Sequence, residues 1–275
     1  ANVAEDIFKA YLSRISKGEE DNNIVNIADI KGDIPEERTL EEIIAEMDEF
    51  VGMESVKNAV KEIAKQINMQ KQRSERGLAK DEKIGMHFIL TGNPGTGKTT
   101  IARKLGEIFE AIEFLDSGHV IEVDRSQMVG QYTGETPKLV TELCNKSMGG
   151  ILFVDEAYTL SQTSMGSTDQ FGKEAIETLM KRMEDDRGRF VVIAAGYKEL
   201  MDKFLNVNPG MKSRFNKYLH IDDYTPEELL EIFKMFVKKK KYILTPEAEE
   251  SARKAIEIIY EGRDSNFGNG REMRK

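Results

Sequence analysis

Residues 92–99, with the sequence GNPGTGKT, are the part of this chain whose residue types and spacing point most directly to chemistry. They fit a phosphate-binding pattern of a glycine, four residues, Gly-Lys and a Ser or Thr, placed between an apolar run and a helical pattern. Glycines at this spacing let the backbone curl until its N–H groups point at phosphate oxygens, and the helix N-terminus adds positive charge. The segment therefore predicts a nucleotide site.

The side chains of this segment have separate expected roles. Lys98 should reach the β and γ phosphates of ATP, and the Thr99 hydroxyl should bind Mg²⁺. The other residues expected to contact the nucleotide are those of the same turn, together with one glycine upstream: Asn93, Pro94, Gly95, Thr96, Gly97, Thr100 and Gly52. ATP and Mg²⁺ are accordingly the predicted cofactors.

Two adjacent carboxylates, Asp155 and Glu156, follow the apolar run at residues 151–154. Acids at the end of a strand are common in loops, but downstream of a phosphate-binding loop they form a Walker B pattern. Asp155 is expected to hold Mg²⁺ through water, and Glu156 to orient and deprotonate the water that attacks the γ-phosphate. The sequence therefore predicts hydrolysis as well as binding.

Short apolar runs that alternate with helical stretches must position these residues. The runs occupy residues 86–90, 119–123, 151–154, 190–195 and 218–221. Strands separated by helices predict a parallel sheet of βαβ units, with ligands at the carboxyl ends of the strands. The expected fold class is thus α/β, a P-loop parallel five-stranded sheet flanked by helices.

Helical patterns without strands lie on both sides of this region. The first covers residues 4–17, another begins near Leu40, and a third runs from beyond Gly52 to about Arg76. We therefore expect an N-terminal helical extension and linker at residues 1–38, followed by the nucleotide-binding domain at residues 39–222.

The sequence after Tyr224 predicts a small helical lid domain at residues 223–275. Thr225 is predicted to cap a helix whose first residues are Pro-Glu-Glu. Thr245-Pro246 opens a second helix that ends near Gly262. A third helix should start around Gly270, so we expect the lid to be truncated where the chain stops.

Composition limits the classes of function. A hydrophobic fraction of 39% and a charged fraction of 32% predict a folded, soluble protein, and the net charge of −9 gives no general attraction to nucleic acid. The run Lys238–Lys241 is interpreted as the end of the helix that begins near Pro226. Neither a membrane span nor a signal peptide is predicted, which favours the cytoplasm.

The remaining candidates for reactive or metal-binding side chains are interpreted as structural. The single cysteine, Cys144, lies on an amphipathic segment and is expected to pack in the core. His87, His119 and His220 lack metal-ligand spacing, so a shared metal site is not expected.

Three motifs together resemble a known family. The segments GNPGTGKTT, GGILFVDEAYTL (149–160) and NPGMKSRF (208–215) are similar to AAA+ ATPases of the red-type rubisco activase and stage V sporulation protein K group, over roughly residues 48–275. The resemblance implies a homo-oligomer, a hexameric ring, with ATP bound between neighbouring subunits. It also implies a protein client gripped in the central pore.

The resemblance assigns further residues. Tyr132, with Thr133 and Gly134, matches a pore loop made mobile by its glycines, although Tyr132 could instead pack under its own loop. Arg214 matches an arginine finger that reaches the γ-phosphate held by the next subunit; the alternative is a surface ion pair. Arg271 matches the sensor 2 arginine at the start of a lid helix, with Arg274 one turn further on.

One position departs from many AAA+ proteins. The chain has Ala195, Gly196 and Tyr197 where a polar Asn or Thr often follows the fourth strand, so the sensor 1 role has no assigned residue. The leading hypothesis is an ATP-driven remodeller of other proteins. A nucleotide-dependent scaffold with little turnover and a nucleic-acid motor are the alternatives, and the sequence does not identify the client.

Overall fold

The computed structural model describes residues 38–77, 85–162, 170–264 and 267–274, together with Leu12 and Ile15. By their internal contacts, residues 40–275 group as one unit and residues 1–39 as another. The predicted helix at residues 4–17 and the linker after it lie almost entirely outside the described residues. Within the described ranges, every helix is too short or too polar to cross a membrane.

A five-stranded parallel sheet forms the centre of the fold, in the order β2-β3-β4-β1-β5. Its strands are β1 (His87–Thr91), β2 (Val120–Val123), β3 (Ile151–Val154), β4 (Val191–Gly196) and β5 (Phe215–His220). This arrangement confirms the predicted fold class. Because β1 lies between β4 and β5, the loop that follows β1 is flanked on both sides by the carboxyl ends of neighbouring strands.

The last strand begins at Phe215 and not at Tyr218, the first residue of the predicted apolar run. β5 is an edge strand, and its residues alternate between the buried Phe215 and Leu219 and the exposed Asn216 and Tyr218. Polar residues on the solvent face of an edge strand hide the apolar signal, which explains the missed start.

Ten helices lie within the described residues. They are α1 (Leu40–Asp48), α2 (Glu54–Glu75), α3 (Lys98–Ala111), α4 (Arg125–Met128), α5 (Glu135–Lys146), α6 (Gln170–Asp185), α7 (Lys198–Leu205), α8 (Pro209–Arg214), α9 (Pro226–Lys239) and α10 (Pro246–Glu261), with 3-10 turns at Ala157–Ser161 and Asn269–Arg274. Alternate residues of β1 face two apolar cores, Phe88 and Leu90 on one side and Ile89 on the other.

The lid helices begin as their sequence predicts. The Thr225 hydroxyl accepts the N–H of Glu228 at 3.3 Å, and the Glu228 carboxylate accepts the N–H of Thr225 at 2.8 Å, which completes a capping box. Thr245 caps α10 through the N–H of Ala248 at 3.3 Å. α9 and α10 pack around a small core of their own that includes Leu229 and Ile256.

The third lid helix begins at Asn269, next to the predicted start around Gly270, and it is a 3-10 helix, Asn269–Arg274. Asn269 has a φ of 46° and is flanked by Gly268 and Gly270, and the N–H of Arg271 bonds to the Gly268 carbonyl at 2.8 Å. A left-handed residue and bonds of i to i+3 type interrupt an α-helix and produce a tighter turn.

The residues interpreted as structural pack as expected. Cys144 is fully buried, and burial raises the pKa of its thiol to about 12, which confirms its core role. Lys238 and Lys239 form the last turn of α9. Burial lowers the pKa of His87 to about 4, and its Nδ1 accepts the N–H of Val192 at 3.0 Å, so this ring is a neutral part of the core.

Candidate nucleotide-binding site

A cavity of about 630 Å³ opens at the carboxyl edge of the sheet, between the strand ends and the lid. It brings together the predicted residues Lys98, Thr99, Asp155, Glu156 and Arg271, which come from distant parts of the sequence. Ligand sites of open parallel sheets form at this edge, because the loops that follow the strands converge there. The cavity is large enough for a nucleotide.

The glycine-rich turn between β1 and α3 has the backbone that phosphate binding requires. Gly95 and Gly97 have φ values of 73° and 97°, a region that side chains other than glycine rarely adopt. The Thr96 hydroxyl donates to the Asn93 carbonyl at 2.8 Å and closes the turn from behind. The first N–H groups of α3 have no acceptor within the helix and are available to phosphate oxygens.

The ammonium of Lys98 lies within this turn. It donates to the carbonyls of Gly92 and Asn93 at 2.8 and 2.9 Å, which are both neutral acceptors. Burial lowers the pKa of Lys98, and the carboxylate of Asp155 opposes that shift. A partly buried cation that donates hydrogen bonds to neutral carbonyls fits a site whose ligand brings negative charge.

Asp155 and Glu156 leave β3 in an unusual backbone geometry. The N–H of Asp155 still bonds to the Val123 carbonyl at 2.8 Å, whereas Glu156 turns into the left-handed region with a φ of 47°. A non-glycine residue in this region costs about 1–3 kcal/mol and persists only where its surroundings hold it. Together with the Thr99 hydroxyl, these carboxylates supply the hard oxygen ligands that Mg²⁺ prefers.

The end of the lid lies directly on the phosphate-binding turn. The N–H of Gly270 donates to the Gly95 carbonyl at 3.2 Å, and a Cβ on Gly95 would lie 2.1 Å from the Gly268 carbonyl oxygen. Glycine is therefore required at position 95 by this close approach as well as by its φ.

Arg271 and Arg274 both line the cavity, but their surroundings differ. Burial lowers the pKa of Lys98, and the positive charge of Arg271 lowers it further, whereas the carboxylate of Asp155 raises it. The guanidinium of Arg274 lies 4.9 Å from the centre of the Phe236 ring, a cation–π contact. Arg271 is thus the arginine nearer to the phosphate-binding end, while its sensor role stays a prediction.

The other end of the cavity is apolar and was not predicted from the sequence. The turn between α1 and α2 contributes Phe50, Val51 and Met53, and α9 contributes Ile232 and Phe236. These side chains suit a flat, uncharged base. They escaped prediction because their apolar periodicity also fits ordinary core packing.

Gly52 is not among the residues that line the cavity. Its φ is 63°, and a Cβ there would lie 2.5 Å from a carboxylate oxygen of Glu228. The absence of a side chain allows the α1–α2 turn to approach the lid closely. Asn93 and Thr96 are likewise not among the lining residues, and the contact of all three with the nucleotide stays a prediction.

The position without a sensor 1 residue has a steric explanation. A Cβ on Gly196 would lie 2.7 Å from the ring of Tyr158 and 2.9 Å from the sulfur of Met201. The next residue, Tyr197, lines the cavity, and burial and the Glu156 carboxylate both raise the pKa of its hydroxyl. The polar group available near Glu156 is therefore a phenol and not an amide.

Arg214 lies at the opposite edge of the sheet from the cavity. Arg214 precedes Phe215, which pairs with His87 at the amino end of β1. The carboxyl end of β1, which leads to Lys98, lies roughly 13 Å further along the strand. The Arg214 guanidinium donates to the carbonyls of Met180 and Gly210 at 3.1 and 3.2 Å and pairs with Glu184 at 3.6 Å. The alternative ion pair is thus present, and Arg214 cannot reach the phosphate site of its own chain.

Tyr132 projects from the loop between α4 and α5, with 70% of its surface exposed. The Glu135 carboxylate holds the loop backbone, because it accepts the N–H groups of Gln131 and Tyr132 at 3.0 and 3.1 Å. The neighbouring Thr133 and Gly134 are also exposed. The side chain of Tyr132 therefore does not pack under its own loop, and its role in a pore stays a prediction.

Comparison with known families agrees with this geometry. Residues 88–223 match the family described as the ATPase family associated with various cellular activities (AAA), and residues 225–275 match an AAA lid domain.

Full-length relatives extend the agreement over most of the chain. Stage V sporulation protein K of Bacillus subtilis is 43% identical over 236 residues, which cover 86% of this chain and 72% of that protein. The chloroplastic ribulose bisphosphate carboxylase/oxygenase activase of Cyanidioschyzon merolae is 39% identical, over 86% of this chain and 79% of that protein. The protein CbbX of Cereibacter sphaeroides is 38% identical, over 85% and 74%.

A solved structure supports the fold alone. The FIGL-1 AAA domain in complex with ADP superposes with a TM-score of 0.56 at 20% identity, and the match covers 82% of this chain and 68% of that one. The sheet order, the phosphate-binding turn, the lid and the identity to full-length relatives lead to one assignment. This chain belongs to the AAA family of ATPases, in the group that includes stage V sporulation protein K and the red-type rubisco activases.

Proposed function

We propose that this protein is a Mg²⁺-dependent ATPase that assembles into a ring, a hexamer, and pulls on a partner polypeptide through a central pore. We place it in the cytoplasm. The observation that carries the proposal is the separation of Arg214 from the cavity across the sheet. A site that needs this guanidinium at the γ-phosphate can receive it only from a second copy of the chain.

The residues of the cavity divide the reaction between them. Lys98 and the N–H groups at the start of α3 bind the phosphate chain. Glu156 orients a water and accepts its proton as the oxygen attacks the γ-phosphorus, and the bond to the β–γ bridging oxygen breaks so that ADP leaves. Mg²⁺, held by the Thr99 hydroxyl and through water by Asp155, would neutralise phosphate charge. Arg271 contributes a second cation in cis, and Arg214 of the neighbouring copy stabilises the charge on the transferred phosphoryl group.

The exposed Tyr132 supports action on another protein. A large aromatic side chain at the tip of a loop can hold an extended polypeptide by apolar contact, without reading its sequence. One relative bears the name of an activase of ribulose bisphosphate carboxylase/oxygenase, and we infer that a protein is the substrate of this chain also. We do not assign rubisco as that client.

The proposal is tested by the rate of Mg·ATP hydrolysis per subunit, measured across a wide range of protein concentration. The variant Arg214→Ala is compared with Lys212→Ala, which removes an exposed cation from the same short helix. We expect specific activity to rise with concentration in the wild type and in Lys212→Ala. We expect the activity of Arg214→Ala to stay flat, about 10³-fold or more below that of the wild type at concentrations where the wild type is assembled.

Two other results would lead away from this proposal. Activity that is independent of concentration and survives the loss of Arg214 would contradict the shared site. ATP-dependent assembly with negligible turnover would favour the scaffold, the alternative that the glycine at position 196 keeps open.

A further inference from the structure

A carboxylate outside the predicted site, Asp223, joins the lid to the phosphate-binding turn. Its two oxygens accept the Asn93 side-chain amide at 3.0 Å each, and one of them also accepts the Asn269 amide at 2.7 Å. Asn93 belongs to the phosphate-binding turn, and Asn269 belongs to the 3-10 turn at the end of the lid. One side chain thus connects two parts of the molecule that line the same cavity.

Asp223 lies in the segment that joins the sheet to the lid. It belongs to residues 221–225, the chain segment that leads from the end of β5 to the start of α9. The next residue, Tyr224, donates its backbone N–H to the Asn269 amide oxygen at 3.0 Å and its hydroxyl to the Thr96 carbonyl at 3.1 Å. The connecting segment is therefore hydrogen-bonded both to the end of the lid and to the phosphate-binding turn.

Asn269 is built into this joint in an unfavourable backbone conformation. Its side chain is completely buried and its φ is 46°. Besides Asp223, its amide group donates to the Phe267 carbonyl at 3.2 Å and to the Pro94 carbonyl of the phosphate-binding turn at 3.4 Å. A buried amide with all of these partners is costly to disconnect, since any donor left without an acceptor loses its hydration as well.

The connection continues to the side chain that meets the phosphates. The backbone carbonyl of Asn93, whose side chain is held by Asp223, accepts the Lys98 ammonium at 2.9 Å and the Thr96 hydroxyl at 2.8 Å. A change in the position of Asn93 therefore changes the position of Lys98. The sequence of contacts runs from the lid through Asp223 to the ammonium.

We propose that Asp223 and Asn269 are positioning residues that form a latch between the lid and the phosphate-binding turn, so that the closed lid holds Lys98 in its phosphate-binding position. The latch consists of the side chains of Asn93, Asp223 and Asn269. When the lid rotates away, Asn269 leaves Asp223, Asn93 loses part of its support, and the grip on the phosphates weakens. The proposal rests on the proposed function only in requiring that the cavity binds nucleotide.

Two substitutions open the latch, and the first of them conserves the volume of the side chain. Asp223→Asn replaces an acceptor of both amides by a group with a single acceptor oxygen and two donor hydrogens of its own. Asn269→Gly removes the amide and keeps a residue that tolerates the positive φ. Asp222→Asn is the matched control. It removes the same charge from the neighbouring residue, whose side chain is 77% exposed.

The measurement is the dissociation rate of a fluorescent ADP analogue, followed by stopped flow with excess unlabelled ADP, together with the affinity for adenosine by competition. We expect Asp223→Asn and Asn269→Gly each to release ADP about tenfold faster, the loss of one hydrogen bond to a charged group, and Asp222→Asn to match the wild type. Adenosine affinity should stay within about twofold, because the latch acts on the phosphate end. The double variant should lose less than the sum of the two single losses, because both variants break the same Asp223–Asn269 contact.

Other results would overturn the latch. Unchanged ADP release in both variants would remove it, and so would additive losses in the double variant. A parallel loss of adenosine binding would show that the substitutions disturb the whole lid, including its apolar end. If the wild type binds no ADP, the proposed function fails and the latch fails with it; the other outcomes leave that function intact.

Discussion

Thr159 holds Glu156 in its left-handed conformation, because both its backbone N–H and its hydroxyl donate to the Glu156 carbonyl, at 2.8 and 2.7 Å. The 3-10 turn that follows β3 therefore begins with a strained residue whose geometry is fixed by a side chain three positions further on. The carboxylate proposed as the general base is placed by this contact.

Removal of the carboxylate should separate binding from turnover. In Glu156→Gln the side chain keeps its shape and can still orient water, but it cannot accept a proton, so we expect hydrolysis to fall by about 10²–10⁴-fold. ATP affinity should remain close to that of the wild type, as measured by equilibrium binding. Hydrolysis at the wild-type rate would remove Glu156 as the base.

Loss of the Thr159 hydroxyl should misplace the base without removing it. We expect Thr159→Val to lower kcat by about tenfold, since small displacements of a reacting group are costly, and to leave the KM for ATP nearly unchanged. Thr159→Ser, which keeps the hydroxyl, is the matched control and should stay near the wild-type rate. Equal rates in the valine and serine variants would show that the backbone alone holds Glu156.

The Tyr197 hydroxyl should take part in turnover if it serves the polar role that Gly196 cannot. Tyr197→Phe keeps the ring and its contact with Tyr158, whose ring centre lies 6.0 Å away. We expect kcat to fall by about tenfold through the loss of one hydrogen bond near the phosphates, with ADP binding retained. A wild-type kcat would leave the sensor 1 role with a residue other than Tyr197.

Tyr132 should matter for work on a client and not for basal hydrolysis. We expect Tyr132→Ala to hydrolyse ATP at the wild-type basal rate and to lose most of the stimulation produced by a permanently unfolded polypeptide. Tyr132→Phe should retain that stimulation, because the aromatic ring provides the apolar contact. Full stimulation of the alanine variant would rule out a gripping role for Tyr132.

The sheet and the phosphate-binding turn could be predicted from the sequence because local signals determine them. Buried strands such as Ile151–Val154 are continuous apolar runs, and the glycines of the turn occur at a spacing that few other structures need. The N-caps of the lid helices, Thr225 and Thr245, are likewise local. In each case the residues that determine the structure are adjacent in the chain.

The residues that were missed act over long sequence distances. Asp223 and Asn269 are ordinary polar residues of short linking segments, and their shared contact with Asn93 exists only when the lid lies on the turn. The 3-10 turn at Asn269 also depends on this contact, because it offsets the cost of a left-handed asparagine. Local patterns cannot report such tertiary contacts.

The most direct test of the shared site mixes two inactive variants. In a ring of Glu156→Gln and Arg214→Ala subunits, an Arg214→Ala subunit that keeps its base can receive a guanidinium from a neighbouring Glu156→Gln subunit. We predict that each variant alone is nearly inactive and that an equal mixture recovers up to about a quarter of the wild-type rate, the fraction of complete interfaces in a random ring. A mixture as inactive as its components, in rings shown to exchange subunits, would contradict the account.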